Sequence, residues 1–388
     1  MRILFLSDRA PGQAPRADAY CTRIDGLRHA LAAQGAETGL LSLRTLRFSR
    51  PHVLFPLNAP ALGRRAQGYD VIHAAGAGAT VAAISAKRWH GRPVIFDVHG
   101  DELLETRLVF RARPGPRTAF HVLQSALLTG IARRRADLLL AVSEPFRERY
   151  IGKGVPAERL SVVRNGADVA AFQPAPATDD GLLRFCYAGG FQAWQAIHLL
   201  IDAFARVAAD AGGDRLRLML IGFSADDRAL KGHIAARLGD RAILEDWMPP
   251  EALPARLGRA DVLVIPRIDH PAMRGGCPSK FAEFLAMGRP LIVTDVDEAS
   301  QFVAAHACGA ICQPTAESLA GALRGAAAWS AEARAEMGAN ARRLAEAVFD
   351  WRVIAGEYLS RLQAITHGWP QFGAQQHDRR STAADRSA

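Results

Sequence analysis

Short apolar runs recur along the chain and alternate with stretches of helical period. In the first half the runs fall at residues 3–6, 38–43, 71–73, 93–98, 138–142 and 160–163. In the second half they fall at 183–187, 216–221, 242–245, 262–265, 291–293 and 310–312. Most are continuous rather than alternating, the pattern of strands buried on both faces of a parallel sheet. Helical segments such as 23–34, 198–209 and 254–258 lie between them. This is the βαβ rhythm of a doubly wound sheet and places the chain in the α/β class.

The rhythm restarts near residue 183. The break before it, 172–181, is rich in Pro and Ala and carries acidic turn residues, as a linker does. The organisation expected is an N-terminal domain at 1–172, a linker at 173–182 and a second domain at 183–348. A last helical segment at 349–365 and a polar, disordered tail at 366–388 complete it.

Composition agrees. At 388 residues, 49% hydrophobic and 22% charged, the chain suits two globular domains. No apolar run reaches the ~18 residues of a spanning helix. The apolar stretch at the N-terminus is too short for a signal peptide, which reads as a cytoplasmic protein. Cys21, Cys186, Cys277, Cys308 and Cys312 read as free thiols rather than a disulfide framework. The net charge of +9 is uneven. Residues 1–170 hold 25 Lys+Arg against 14 Asp+Glu, and residues 171–388 hold 23 against 25. A basic first half attracts an anionic partner (nucleic acid, acidic lipid or a phosphorylated substrate) or is a solvated surface.

Ligands of such folds bind beyond the carboxyl ends of the strands, and several polar clusters lie there. The richest is GGCPSKFAEFLAMGRP at 275–290. Pro278 and Ser279 suit the N1 and N-cap positions of a helix over about 279–287. Gly275 and Gly276 allow close backbone approach before it, and Cys277 completes the turn. Lys280 in the first turn is unfavourable unless an anion lies there. Glu283 follows three residues on. A diphosphate site and an ordinary surface salt bridge both remain open. Asp97 and His99 follow the run 93–96. Gly190, Gln192 and Trp194 lie in the turn after 183–187. Ser143 and Glu144 end the run 138–142, Asn165 lies in RNGAD at 164–168, and Arg267 lies in PRID at 266–269, where Asp269 is its alternative partner.

Taken in order, these segments resemble the retaining glycosyltransferases of the GT-B architecture, the large family 4 type (glycosyl transferases group 1). The resemblance runs over residues 1–365. ADLLLAVSE at 136–144, LSVVRNGAD at 160–168, the donor-helix segment 278–293 and FDW at 349–351 carry it. It implies two Rossmann-like domains facing each other across a cleft, with the last helix crossing back onto the first. Glu283 then holds the donor ribose, and amides of 276–280 approach the sugar and diphosphate. His99 lines the pocket at the transferred sugar, and Gly12 abuts the donor phosphates. No metal or cofactor is implied beyond the nucleotide-sugar co-substrate, a UDP- or GDP-sugar. Front-face attack by a hydroxyl acceptor, lipid-linked or carbohydrate, retains the anomeric configuration.

Two departures stand out. Gly275 occupies the place of the family's first glutamate, and Gly190 and Gln195 occupy those of its phosphate-binding Arg and Lys. Lys280, with Arg267, is expected to replace those cations. The basic and apolar stretch 103–117, with Arg133, Arg134 and Arg135, suits peripheral attachment to an anionic membrane, or else a helix packed on its own sheet. The alternatives are a nucleotide-sugar 2-epimerase on the same fold and a catalytically inactive nucleotide-sugar-binding subunit. No recognition motif supports nucleic acid.

Overall fold

The computed structural model describes residues 1–9, 19–112, 114–176 and 180–367. Gly12, Arg113 and the segment 368–388 lie outside the described residues. The strands of the first half are β1 (Arg2–Ser7), β2 (Glu37–Ser42), β3 (Val71–Ala75), β4 (Val94–Val98), β5 (Leu138–Ala141) and β6 (Leu160–Val162). Those of the second half are β7 (Leu183–Ala188), β8 (Leu216–Phe223), β9 (Ala242–Asp246), β10 (Val262–Ile265), β11 (Leu291–Thr294) and β12 (Gly309–Cys312). They form two parallel six-stranded sheets, ordered β2-β1-β3-β4-β5-β6 and β12-β11-β10-β7-β8-β9.

Most positions of the central strands are apolar because helices cover both faces of each sheet, with His73, Asp97 and Arg184 among the buried polar exceptions. Strands β3, β4, β5, β7, β10 and β11 are buried at every position. The strand order reverses between β1 and β3 in the first sheet and between β7 and β10 in the second. At such a switch point the following loops part and leave a crevice. Gly189 follows β7 and Arg267 lies just beyond β10, so both open onto it.

The last helix, Trp351–His367, returns to the first sheet. Its Trp351, Ile354, Ala355, Tyr358 and Leu362 share one core with Ile3, Phe5, Ile24, Leu27 and Leu31. Two glycines admit Trp351. A Cβ at Gly26 would lie 2.4 Å from its Nε1, and one at Gly166 would lie 2.7 Å from its Cδ2. This is the GT-B arrangement of two Rossmann-like units with a crossing C-terminal helix. The helix runs two residues past the expected end at 365, so Thr366 and His367 are helical and not tail. The five cysteines are free and buried.

Candidate active site

The helix Ser279–Ala286 starts at the crevice and stops at Gly288, whose φ of 62° takes the left-handed turn that closes a helix. Its start differs from expectation. Pro278 is the N-cap, without a side-chain cap bond, and Ser279 is the first helical residue. Proline's fixed φ sets the extended cap conformation, and its missing N–H costs nothing there. Among the described residues, the N–H groups of Ser279 and Lys280 meet no acceptor. A helix start with free N–H groups favours an anion.

Lys280 is no surface residue. It is 9% exposed, and its Nζ donates to Tyr187 Oη at 2.7 Å and to Gln195 Oε1 at 3.3 Å. Burial, reinforced by the nearby Arg267 guanidinium and opposed by Glu283, pushes its pKa down to about 7. Glu283 is half-buried, and burial pushes its carboxyl up to about 7 against the pull of Lys280. Among the described residues its side chain has no hydrogen-bond or ion-pair partner. The surface salt bridge left open by the sequence is therefore not formed.

Gly189 makes room for the ammonium. Its φ is 134°, and a Cβ there would sit 2.7 Å from Lys280 Nζ. Tyr187 Oη accepts from Lys280 and donates to the Gly190 carbonyl. Lys280 thus occupies the space above positions 189–195, where the family's two cations are missing. Gln192 is exposed. Trp194 packs with Leu104, Ile268, Ala272, Met273 and Val296, so its ring is a packing element across the cleft.

Arg267 does not pair with Asp269, which binds Arg274 instead. Its Nε lies 3.4 Å from Asp297 Oδ2, and it also contacts the Met273 sulfur. Burial pushes the Asp297 carboxyl up to about 6, with Arg267 opposing. The pair is a charge contact without a hydrogen bond between Nε and Oδ2.

From the first sheet come His99, Ser143, Glu144 and Asn165. His99 stacks on Tyr20, with centroids 4.4 Å apart. Its Nε2 lies 3.1 Å from Asp97 Oδ2, off hydrogen-bond alignment. The other three hold the loop before the Lys280 helix. Ser143 Oγ donates to the Gly275 carbonyl, and Asn165 Nδ2 donates to the Cys277 carbonyl at 3.0 Å. The Glu144 N–H donates to Glu298 Oε1 at 2.9 Å, and the Glu298 N–H donates to the Gly276 carbonyl at 3.2 Å. Arg164 closes the set on Glu298 through Nε and Nη2. These residues position backbone and do not face the crevice. Cys277 is buried, and burial raises its thiol pKa well above the ordinary value.

Sequence reading missed Tyr187, Arg164, Glu298 and Arg23. Tyr187 sits in an apolar strand, and the other three are charges inside helical or loop patterns whose burial only the fold reveals. Among the described residues no three His, Cys, Asp or Glu side chains converge as a metal cage.

Comparison with known proteins bears on the fold and its two domains. The WcaL protein of Escherichia coli K12, assigned as a colanic acid biosynthesis glycosyltransferase, is 27% identical over 239 residues. The match covers 60% of this chain and 58% of that protein, so the chain spans little more than half of its curated relative. Sucrose-phosphate synthase of Thermosynechococcus elongatus has the same fold, with TM-score 0.76 at 19% identity over 94% of this chain and 99% of that one. Anabaena HepE, solved with UDP-glucose, superposes with TM-score 0.69 at 20% identity, over 94% and 100% of the two chains. Residues 17–171 match the model of Glycosyltransferase Family 4, and residues 183–328 match that of Glycosyl transferases group 1. The first half of the chain thus matches the domain model of Glycosyltransferase Family 4 and the second half that of Glycosyl transferases group 1.

Proposed function

We propose that the chain moves a sugar from a nucleotide-diphosphate donor to a hydroxyl acceptor, with retention of configuration and without a metal. The observation that carries this is the buried Lys280 Nζ in the first turn of a helix with free N–H groups, close enough to Arg267 for the guanidinium to lower its pKa and held by a phenol and an amide rather than a carboxylate. When the bond from the anomeric carbon to phosphate breaks, negative charge grows on the leaving diphosphate. Oriented N–H groups and cations stabilise that charge by several kcal/mol in a water-poor site. The acceptor oxygen bonds the anomeric carbon from the same face, and its proton passes to the departing phosphate oxygen. Glu283, partnerless and one turn further along the helix, holds the ribose hydroxyls. His99 lines the sugar pocket.

A UDP- or GDP-sugar fits as donor. HepE was solved with UDP-glucose, and WcaL is assigned to polysaccharide biosynthesis, which supports a carbohydrate or lipid-linked acceptor. A membrane surface fits the helix Pro116–Arg135, which has no acidic residue and exposes Phe120, Leu123 and Leu127 on one face. Of the expected stretch 103–117, Leu103, Leu104, Leu108 and Phe110 are half-buried and Arg107, Arg111 and Arg117 are exposed. Leu104 packs across the cleft, and only Val109 among its apolar residues is widely exposed.

The test is a thermal-shift screen of UDP-, GDP- and ADP-sugars, followed by NMR of the product formed with a hydroxyl acceptor. Stabilisation by one nucleotide sugar and a retained anomer support the proposal. An inverted product, or an isomerised donor with no acceptor present, overturns it.

A further inference from the structure

Behind His99 lies a buried polar chain to which no role has yet been given. Arg23, on the helix Ala19–Ala33, is 2% exposed, and Asp97 is fully buried. All five N–H groups of Arg23 are used. Nε and Nη2 grip Asp97 at 2.9 and 2.8 Å. Nη2 also donates to the Val163 carbonyl at 2.8 Å, and Nη1 donates to the Arg164 carbonyl at 2.9 Å and to Asn165 Oδ1 at 3.2 Å. Asp97 receives His73 Nε2 at 3.1 Å, and His73 Nδ1 lies 2.8 Å from Tyr358 Oη of the crossing helix.

The protons can be placed. Burial works to raise the Asp97 pKa, but Arg23, His99 and His73 hold it well below the ordinary carboxylate range. An ionised carboxylate only accepts, so His73 carries its proton on Nε2. Burial lowers the His73 pKa, so the ring is neutral and Nδ1 accepts from Tyr358. The same carboxylate oxygen lies 3.1 Å from His99 Nε2, and although the two are off hydrogen-bond alignment its negative charge favours the tautomer protonated at that nitrogen.

Asn165 links this chain to the second domain. Its Oδ1 accepts from Arg23 while its Nδ2 donates to the Cys277 carbonyl, three residues before Lys280. A single guanidinium therefore touches, at one remove, both the histidine of the first domain and the donor loop of the second.

We infer that Arg23 is a positioning residue: through Asp97 it fixes the tautomer and orientation of His99, and through Asn165 it fixes the loop ahead of Lys280. The inference rests on the sugar-transfer reading only for the purpose of His99, not for the tautomer. Without Arg23, burial drives Asp97 to take up a proton, and a protonated carboxyl donates to the imidazole. His99 then loses its single tautomer.

The test uses histidine-labelled protein without substrate, with ¹⁵N NMR reporting each ring nitrogen. Wild type is expected to show His99 as the Nε2–H tautomer. Arg23→Gln is expected to give a mixed or Nδ1–H signal, and its kcat to fall at least tenfold. If that variant does not fold, Asp97→Asn, which removes the carboxylate itself, should likewise give a mixed or Nδ1–H signal, whereas Arg23→Lys, which keeps the charge, should retain Nε2–H. Asn165→Ala should leave the His99 signal unchanged and raise the donor KM at least fivefold. A tautomer unmoved by loss of Arg23, or an unmoved KM in Asn165→Ala, overturns the inference while leaving sugar transfer intact. Failure of any nucleotide sugar to react overturns the transfer reading and leaves the NMR result standing.

Discussion

Lys280 Nζ donates to Tyr187 Oη at 2.7 Å and lies 4.0 Å from the centroid of that ring. The phenol thus meets the ammonium with both its hydroxyl and its ring, and among the described residues no carboxylate lies within ion-pair distance of it. If this cation does the work of the missing family pair, its removal should act on the reaction itself. Lys280→Met should lower kcat by about 100-fold or more, the usual result of deleting one group that stabilises a developing oxyanion. Tyr187→Phe keeps the ring and loses one bond to a charged group, which is worth about 1.5–3 kcal/mol, so it should cost on the order of ten- to a hundredfold. Steady-state kinetics decide. Near-normal turnover by Lys280→Met would remove Lys280 from the mechanism.

The same burial predicts a pH effect of definite sign. The folded-state pKa of Lys280 is lowered from 10.5 to about 7. Between those values the unfolded chain holds a proton the folded one lacks, so this group's contribution to stability rises with pH. Glu283 is raised from 4.5 to about 7, so between those values the folded chain holds the extra proton and stability falls as pH rises. The pair is therefore least stabilising near pH 7, where a bound diphosphate would help it most. Titration calorimetry should show UDP affinity falling as pH rises above about 7, and Lys280→Met should flatten that slope. A pH-independent wild-type affinity would refute the idea.

Glu283 separates binding from chemistry. A half-buried carboxyl without a protein partner gains most from a ligand that brings hydroxyls. Glu283→Ala should raise the donor KM about tenfold or more and change kcat less, the signature of lost ground-state binding. The 2′-deoxy donor should lose its disadvantage in this variant. If Glu283→Ala instead lowers kcat alone, the carboxyl does not hold the ribose.

Gly275 shows why a departure from the family pattern is stable here. A Cβ at that position would lie 2.9 Å from Phe146 Cδ2 and 3.0 Å from Arg149 Nη2, and the Phe146 side chain is wholly buried. The first domain has moved into the space a side chain would need. Restoring the family residue should thus harm this protein. Gly275→Glu, and to a smaller degree Gly275→Ala, should destabilise the closed arrangement by about 1–3 kcal/mol, the usual cost of overpacking. Thermal unfolding in the presence and absence of UDP measures it. A Gly275→Glu protein as stable and active as wild type would contradict the packing argument.

Strand positions were legible because a parallel strand buried on both faces writes itself as a continuous apolar run. Each of the twelve runs became a strand, with ends shifted by at most two residues. The 275–290 segment was legible because turn, helix start and charge are local. What could not be read was partnership. Arg267 and Asp269 are two residues apart in sequence, yet one turns to Asp297 and the other to Arg274. Ser143 and Asn165 were legible as supporting residues at strand ends, but not that the second domain brings the carbonyls of Gly275 and Cys277 onto them. Such pairings depend on how two sheets meet, and no local spacing encodes that.

The apolar face of the helix Pro116–Arg135 supplies a last prediction. Leu123 is 68% exposed, Leu127 53% and Phe120 43%, with Val109 at 43% on the preceding helix Glu102–Ala112. Spacings of three and four residues place the first three on one stripe. Arg117, Arg134 and Arg135 are also exposed, at the two ends of the same helix. Water is a poor solvent for such a stripe, and an acidic lipid surface accepts both its parts, with about 1 kcal/mol per basic residue near the surface. The protein should co-sediment with vesicles containing anionic phosphatidylglycerol and be released by salt, because screening shortens the reach of the arginines. Leu123→Ser with Leu127→Ser should weaken binding at every salt concentration, whereas Arg134→Ser with Arg135→Ser should weaken it chiefly at low salt. Vesicle binding unaffected by both pairs would place the membrane contact elsewhere, and no binding at low ionic strength would remove it.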